Sequence, residues 1–246
     1  MTDEQHDKFR PSAAMILAAG LGKRMRPITS TIPKPLVEVR GKALIDYGLD
    51  TLARNRIGKV VVNVHYLADL MQAHLRKRKD LEVVVSDERK RLLDTGGAVV
   101  KALPELGSDP FFVLNGDTFW VDGYRDNLDL MTDLWNPERM DILLLIADMA
   151  QATGYEGRGD FAMDVEGRLA RVPERDMSPF IYAGAAIIKP EVFADMEPVP
   201  FSLNRVFNQA IQTGRLFGAR LDGLWMTVGT PEAVERAEAR LVASTA

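Results

Sequence analysis

Apolar positions along this chain fall into short solid runs separated by stretches of helical spacing. Residues 13–19 are apolar throughout. That run is too short for a helix and too continuous for a one-sided strand, so it predicts a strand covered on both faces. Beyond a loop rich in glycine, proline and basic residues, Leu44, Ile45, Gly48, Leu49 and Leu52 recur at helical intervals within 43–56, and Asn55 to Gly58 ends that helix. The same alternation continues with a strand over 59–65, a helix over 67–78 carrying Leu67, Leu70, Met71 and Leu75 on one face, and a β-branched strand over 81–86. A helical segment over 98–103 and a buried strand over 110–117 follow. Strand and helix at these intervals suit right-handed crossovers.

The second half predicts a helix over 125–135, a strand over 141–147, a hairpin of 160–165 and 167–172 turning at Glu166-Gly167, and a strand over 180–188. A helix over 202–214 capped at both ends, a strand over 215–221 and a closing helix over 231–241 complete it. The closing helix has Pro231 in its first turn and two glutamates in its N-terminal half, as helix polarity favours. No Gly/Ser/Pro-rich linker and no repeat interrupts the chain. The expected organisation is a polar tail, residues 1–12, and one α/β domain, residues 13–246, made of halves 13–122 and 123–246. Its fold class is a Rossmann-like three-layer sandwich with a mixed, mostly parallel central sheet.

Composition narrows the partners. The chain has 246 residues, 46% of them apolar, with 31 Lys plus Arg against 35 Asp plus Glu, a formal charge of -4. No global basic field gathers nucleic acid or an anionic membrane, so an anionic ligand needs a local site. Cysteine is absent, which excludes disulfides, thiol catalysis and thiolate metal sites. Residues 1–12 lack a signal-peptide core and no segment resembles a membrane span, so a soluble, cytoplasmic protein is expected.

The local site is expected where the first strand ends, because open parallel sheets bind ligands outside their carboxyl ends. There Gly20 and Gly22 can take positive φ and turn backbone N–H groups inward, while Lys23, Arg24 and Arg26 add charge suited to a polyphosphate. The loop is neither a G-x-G-x-x-G fingerprint nor a P-loop, and a structural turn with solvated charges is the alternative. Lys34 tips the balance: Pro33 and Pro35 restrict its backbone, a constraint that a solvating lysine does not need. Asp117 leaves a buried strand at the same sheet edge, either to cap the next segment or to hold a divalent ion. Basic loop and carboxylate together describe phosphoryl or nucleotidyl transfer. His6, His65 and His74 form no metal-site spacing and are assigned to tail, strand end and helix surface. Glu88 is a solvated loop charge or a ligand-edge group, Asp94 a helix cap, and Trp225 a core residue.

The stretches LAAGLGKR at 17–24, PKP at 33–35, NGD at 115–117, LLDTGG at 92–97 and WMTVGTP at 225–231 resemble the sugar-phosphate nucleotidyltransferases over almost the whole chain. Within that family, the short length, the LLDTGG run and the lack of a C-terminal β-helix are most similar to the branch that uridylylates N-acetylmuramate 1-phosphate in bacterial cell-wall recycling. The resemblance implies the nucleotide-diphospho-sugar transferase fold, UTP and a sugar 1-phosphate as partners, magnesium as cofactor, and a monomer or weak homodimer. It implies that Arg24 and Lys34 contact phosphates and that Asp117 binds magnesium, the three forming the catalytic set. Leu17, Ala18, Ala19, Gly20, Gly22, Lys23, Thr95, Gly96 and Asn115 are then nucleotide contacts, and Gly159, Asp160 and Gly184 sugar contacts. The family usually carries an aspartate as a second metal ligand where this chain has Thr227. That departure leaves a weakened metal site or a sugar-nucleotide binder without turnover as alternatives. Guanylyl transfer to mannose 1-phosphate, or uridylyl or thymidylyl transfer to glucose 1-phosphate, are the alternative reactions.

Overall fold

A computed structural model describes residues 9–173 and 175–244, so His6 lies outside the described residues. Strand β1 (Ala13–Leu17) leads through the basic loop to a short hairpin, β2 (Glu38–Val39) and β3 (Lys42–Ala43), and to helix α1 (Leu44–Arg54). Then β4 (Lys59–Val64), α2 (Ala68–Leu75), β5 (Glu82–Asp87), α3 (Asp94–Leu106) and β6 (Phe111–Asn115) alternate. The chain continues through β7 (Thr118–Asp122), α4 (Asn127–Leu134), β8 (Ile142–Asp148), β9 (Phe161–Met163), β10 (Leu169–Arg171) and β11 (Phe180–Ile188). It closes with α5 (Asn204–Gln212), β12 (Leu216–Arg220), β13 (Gly223–Thr227) and α6 (Pro231–Ser244).

The unbroken apolarity of β1 follows from its position. It pairs in parallel with β4 on one side and β6 on the other. Ala14 and Ile16 face a core under α1, α2 and α4, while Ala13 and Met15 face a second core under α3 and α5. Both faces of the strand are dry, so neither tolerates a polar residue. Strand β5 extends the sheet beyond β4 in parallel, and β11 joins β6 and β8 antiparallel, with β12 parallel to β8 at the far side. The result is a mixed, mostly parallel sheet between two helical layers. Strands β7 and β13 form a separate antiparallel ribbon that packs with α6 on a third, smaller core. No helix among the described residues is long and apolar enough to cross a membrane.

Four local expectations change. Helix α3 begins at Asp94 rather than near Ala98, so Thr95, Gly96 and Gly97 form its first turn and not a loop. The glycines serve packing: a methyl on Gly96 would lie 2.1 Å from the Phe201 ring, and one on Gly97 2.0 Å from the Val199 carbonyl oxygen. Helix α5 spans Asn204–Gln212, and the residue before it, Leu203, offers no side-chain cap. Instead the Thr95 hydroxyl accepts the Leu203 N–H at 2.8 Å, a contact from 108 residues away that no local pattern announces. Helix α4 starts at Asn127 because Asp126 caps it, accepting the N–H groups of Leu128 and Asp129 at 2.9 and 3.1 Å. The β7/β13 ribbon joins two segments that sequence reading treats only as motif flanks.

Candidate active site

The loop after β1 folds back on Lys34. Gly22 takes φ 59°, and a methyl there would sit 3.0 Å from Lys34 Cβ and 3.1 Å from Thr29 Cγ2, so a side chain is disfavoured by backbone strain and would press on the neighbouring turn. Lys34 is buried to 9% exposure between Pro33 and Pro35, themselves buried. Its Nζ donates to Asp117 Oδ2 at 2.7 Å. A lysine with a fixed stem and a desolvated base holds its charge in one place, which is what a group meeting a reacting phosphate requires.

Asp117 emerges directly after β6, where Gly116 lets the chain pass close under β1: a methyl on Gly116 would approach the Leu17 carbonyl oxygen to 2.9 Å. The Asp117 side chain keeps 39% exposure, so one oxygen binds Lys34 and the carboxylate still faces the cleft. Two cavities meet here, both lined by Asn115 and Asp117. The first, about 260 Å³, is lined by Leu17, Ala18, Ala19, Gly20, Asn63, Asp94 and Thr95. The second, about 250 Å³, is bounded by Thr118, Asp160, Arg171, Tyr182, Trp225 and Thr227.

Other singled-out residues lie around these cavities in different ways. Arg24 is exposed and approaches Gly229, where a methyl would be 3.5 Å from its Nη1. Gly229 follows Val228, whose N–H donates to the Asp117 carbonyl at 3.1 Å, so Arg24 stands at the rim of the cleft without touching Lys34 or Asp117. Lys23 is likewise exposed; among the described residues neither cation has an ion pair. Gly96 is buried and its N–H donates to the Phe201 carbonyl at 2.8 Å, so it faces the α5 approach and not the first cavity. Gly159 supports the second cavity from behind, donating its N–H to the Tyr155 hydroxyl at 3.2 Å. Asp160 lines that cavity, its Oδ2 accepting the Tyr182 N–H at 2.9 Å. Gly184 occupies the β11 irregularity at φ 87°, where a methyl would meet the Thr118 hydroxyl at 2.2 Å, so it makes room for the floor on which Asn115 and Thr118 sit. Thr227 faces Thr118 across the ribbon and lines the second cavity. Trp225 is buried, donating Nε1–H to the Ala183 carbonyl at 2.8 Å, and contributes its edge to the same wall.

Desolvation raises the phenol of Tyr155, with Asp160 adding to the effect, and burial raises that of Tyr182 strongly. Both stay neutral hydroxyls at physiological pH. The Tyr182 hydroxyl is buried and has no protein partner among the described residues.

Sequence reasoning missed a support beneath the first cavity. Glu88 is 1% exposed, not solvated. Its Oε1 accepts Asn63 Nδ2–H at 2.8 Å and its Oε2 accepts the Leu93 N–H at 2.9 Å. Asn63 Oδ1 in turn accepts the Ala18 N–H at 2.7 Å. One carboxyl thus ties the ends of β1 and β4 to the start of α3. The signal was Asn63 itself, a lone polar residue inside the apolar run KVVVNV, which requires a buried partner. Glu88→Gln presents an NH₂ group to one of two N–H donors. Thermal unfolding should show a loss of about 1–3 kcal/mol, about 2–4 °C in Tm for each kcal/mol, and the ligand of the first cavity should bind more weakly. A variant with unchanged Tm and unchanged affinity would remove Glu88 from this role.

His65 and His74 have structural partners: His65 Nδ1 lies 2.8 Å from the Glu88 carbonyl oxygen and His74 Nε2 2.9 Å from Asp46 Oδ1. Among the described residues no three His, Asp or Glu side chains cluster as a metal site.

The nucleotidyl transferase family model matches residues 13–244. The chain is 45% identical over 235 residues to N-acetylmuramate alpha-1-phosphate uridylyltransferase of Caulobacter vibrioides, covering 94% of this chain and 97% of the relative. It is 30% identical over 236 residues to the enzyme of that name from Neisseria meningitidis serogroup B, covering 92% and 96%. A solved UDP-glucose pyrophosphorylase in complex with UDP-glucose superposes with a TM-score of 0.76 at 17% identity, covering 94% of this chain and 98% of that one, a likeness of fold. With the family model spanning β1 to α6 and relatives matched over nearly their full length, this chain belongs to the nucleotidyl transferase family.

Proposed function

We propose that this protein transfers the uridylyl group of UTP to N-acetylmuramate 1-phosphate, releasing pyrophosphate. The observation that carries the reading is the meeting of two cavities at one lysine–carboxylate pair, Lys34 and Asp117, with the relatives of that activity supplying the substrates. Triphosphate in the first cavity and sugar phosphate in the second bring two anions together at the shared wall. A phosphate oxygen of the sugar 1-phosphate attacks the α-phosphorus in line. The new P–O bond forms as the bond to the pyrophosphate oxygen breaks, and the electron pair leaves with pyrophosphate.

No protein base is needed, because the attacking phosphate is already anionic. What opposes reaction is repulsion between the anions and the charge that grows on the leaving pyrophosphate. Lys34 answers the first from its fixed position, and Arg24 at the rim answers the second by contact with the outer phosphates. The N–H groups of the loop from Ala19 to Gly22 hold the triphosphate against the sheet edge. Asn115, which lines both cavities, and Thr118, which lines the second, fix the sugar phosphate for in-line attack.

The donor set suits a magnesium ion carried largely by substrate phosphates and water. Asp117 supplies one ionised oxygen donor, Thr227 at most a neutral hydroxyl, and magnesium commonly rests on one or two carboxylates. When bound, the ion neutralises phosphate charge. The reading carries with it a cytoplasmic location and a part in the reuse of peptidoglycan sugars.

The test is pyrophosphate release from nucleoside triphosphates crossed with sugar 1-phosphates, with and without magnesium. UTP with N-acetylmuramate 1-phosphate should give the highest kcat/KM, and chelation should abolish it. Preference for GTP and mannose 1-phosphate would overturn the substrates, and turnover untouched by chelation would overturn the metal.

A further inference from the structure

The second cavity contains a cation that the chemistry above does not use. Arg171, the last residue of β10, lies with its guanidinium 4.3 Å from the centre of the Phe161 ring. Its Nε–H donates to Asn208 Oδ1 at 3.1 Å and an Nη2–H to Asn204 Oδ1 at 2.6 Å. The two asparagines are four residues apart and therefore share one face of α5. The ring face and the two amides together hold the guanidinium in one place.

The choice of amides matters. A carboxylate in either place would hold the arginine equally well and would cancel its charge. Elsewhere in the chain that is what happens: Arg168 pairs with Glu166 and Arg220 with Asp148. Arg171 has no ion pair among the described residues, and three of its five N–H donors remain beyond the two that the amides engage. Of the two carboxylates that line the same cavity, Asp117 is paired with Lys34, and Asp160 has one oxygen turned to the Tyr182 N–H and draws on Arg171 only from a distance. An oriented, uncancelled guanidinium on the wall of a ligand cavity is suited to bidentate capture of a planar anion.

We propose that Arg171 is the residue that selects an acidic sugar, by pairing with a carboxylate carried on the ring of the sugar 1-phosphate. This rests on the substrate reading above. N-acetylmuramate bears a lactyl ether carboxylate where N-acetylglucosamine bears a hydroxyl. The cavity that Arg171 borders at β10 is the one that Asp117 and Thr227 border beside the reacting phosphates. A sugar held there presents two anionic groups, its phosphate toward Lys34 and its carboxylate toward Arg171. Asp160 on the same wall suits the neutral donors of the sugar, hydroxyl or amide N–H, and disfavours a carboxylate on its own side.

The experiment compares N-acetylmuramate 1-phosphate with N-acetylglucosamine 1-phosphate at saturating UTP for wild type, Arg171→Gln, Arg171→Lys and Asn204→Asp. In Arg171→Gln the KM for the acidic sugar should rise about 10- to 100-fold, the worth of a charge-assisted hydrogen bond, with most of the loss in KM rather than kcat. The acid-to-neutral ratio of kcat/KM should fall by the same factor. Arg171→Lys should fall between the two. Asn204→Asp should lower the ratio although Arg171 is still present, because the new carboxylate claims the guanidinium, and this variant carries the test even if Arg171→Gln does not fold. A wild type that prefers the acidic sugar, with the ratio unchanged in all three variants, overturns the role of Arg171 and leaves the proposed function standing. A wild type that uses only the neutral sugar overturns the proposed function and this inference together.

Discussion

Lys34→Ala lowers kcat about a hundred- to a thousandfold at saturating substrates, the loss typical of one preorganised group facing charge in a transition state. The expectation follows from the cost already invested in placing this side chain. Its stem is buried, its backbone is restricted by Pro33 and Pro35, and Gly22 is kept free of a side chain that would press on its Cβ. Stability should change much less. The partner left behind, Asp117, keeps 39% side-chain exposure and can be hydrated, so loss of the pair costs at most about 1 kcal/mol. A large fall in kcat with a small fall in Tm is therefore the diagnostic pair of measurements. If both parameters stay at wild-type values, Lys34 has no part in catalysis; if Tm collapses while the folded fraction retains full kcat, Lys34 is a structural residue.

Asp117→Asn has the second large effect, a drop of about a hundredfold or more in kcat/KM, equivalent to about 2.7 kcal/mol of transition-state stabilisation. Two losses combine. The amide can still turn its oxygen to Lys34 Nζ, 2.7 Å from the native oxygen, but carries no charge, so the lysine loses its ion pair. The site also loses the ionised oxygen that Thr227 does not replace, so the magnesium concentration for half-maximal activity should rise. A magnesium titration separates the two: an unchanged half-saturating concentration with reduced kcat would assign Asp117 to anchoring Lys34 alone. Because both variants act on one pair, their free-energy losses should not add in the double variant.

The roles divide along the lysine–carboxylate pair. On the triphosphate side the walls are largely backbone and small residues, Ala18, Ala19 and Gly20, with Asn63 braced from below by Glu88. On the sugar side the walls are long side chains from β10, α5 and β13. A surface of main-chain groups suits the invariant phosphates, whereas side chains on several elements can be exchanged to choose a sugar. That contrast is the reason to look for substrate selection at Arg171 and not in the loop after β1.

Much of this was decided by the sequence alone. A strand with every residue apolar must be covered on both faces, so β1 belonged at the centre of a parallel sheet before any coordinates. Lys34 between two prolines and Asp117 at the end of a buried strand carried their chemistry in local covalent constraints and hydrophobic period, which are properties of neighbouring residues. The tertiary structure decided what depends on partners far along the chain. Glu88 could be a solvated charge or a ligand-edge group until Asn63 and Leu93 converged on it, and Gly96 could be a nucleotide contact until Phe201 packed against it across 105 residues. Arg171 looked like one more hairpin charge in a chain with 31 basic residues. Only the folding of α5 over β9 and β10 set two neutral amides and an aromatic ring around it, because charge becomes function where packing fixes its direction and withholds a counter-ion.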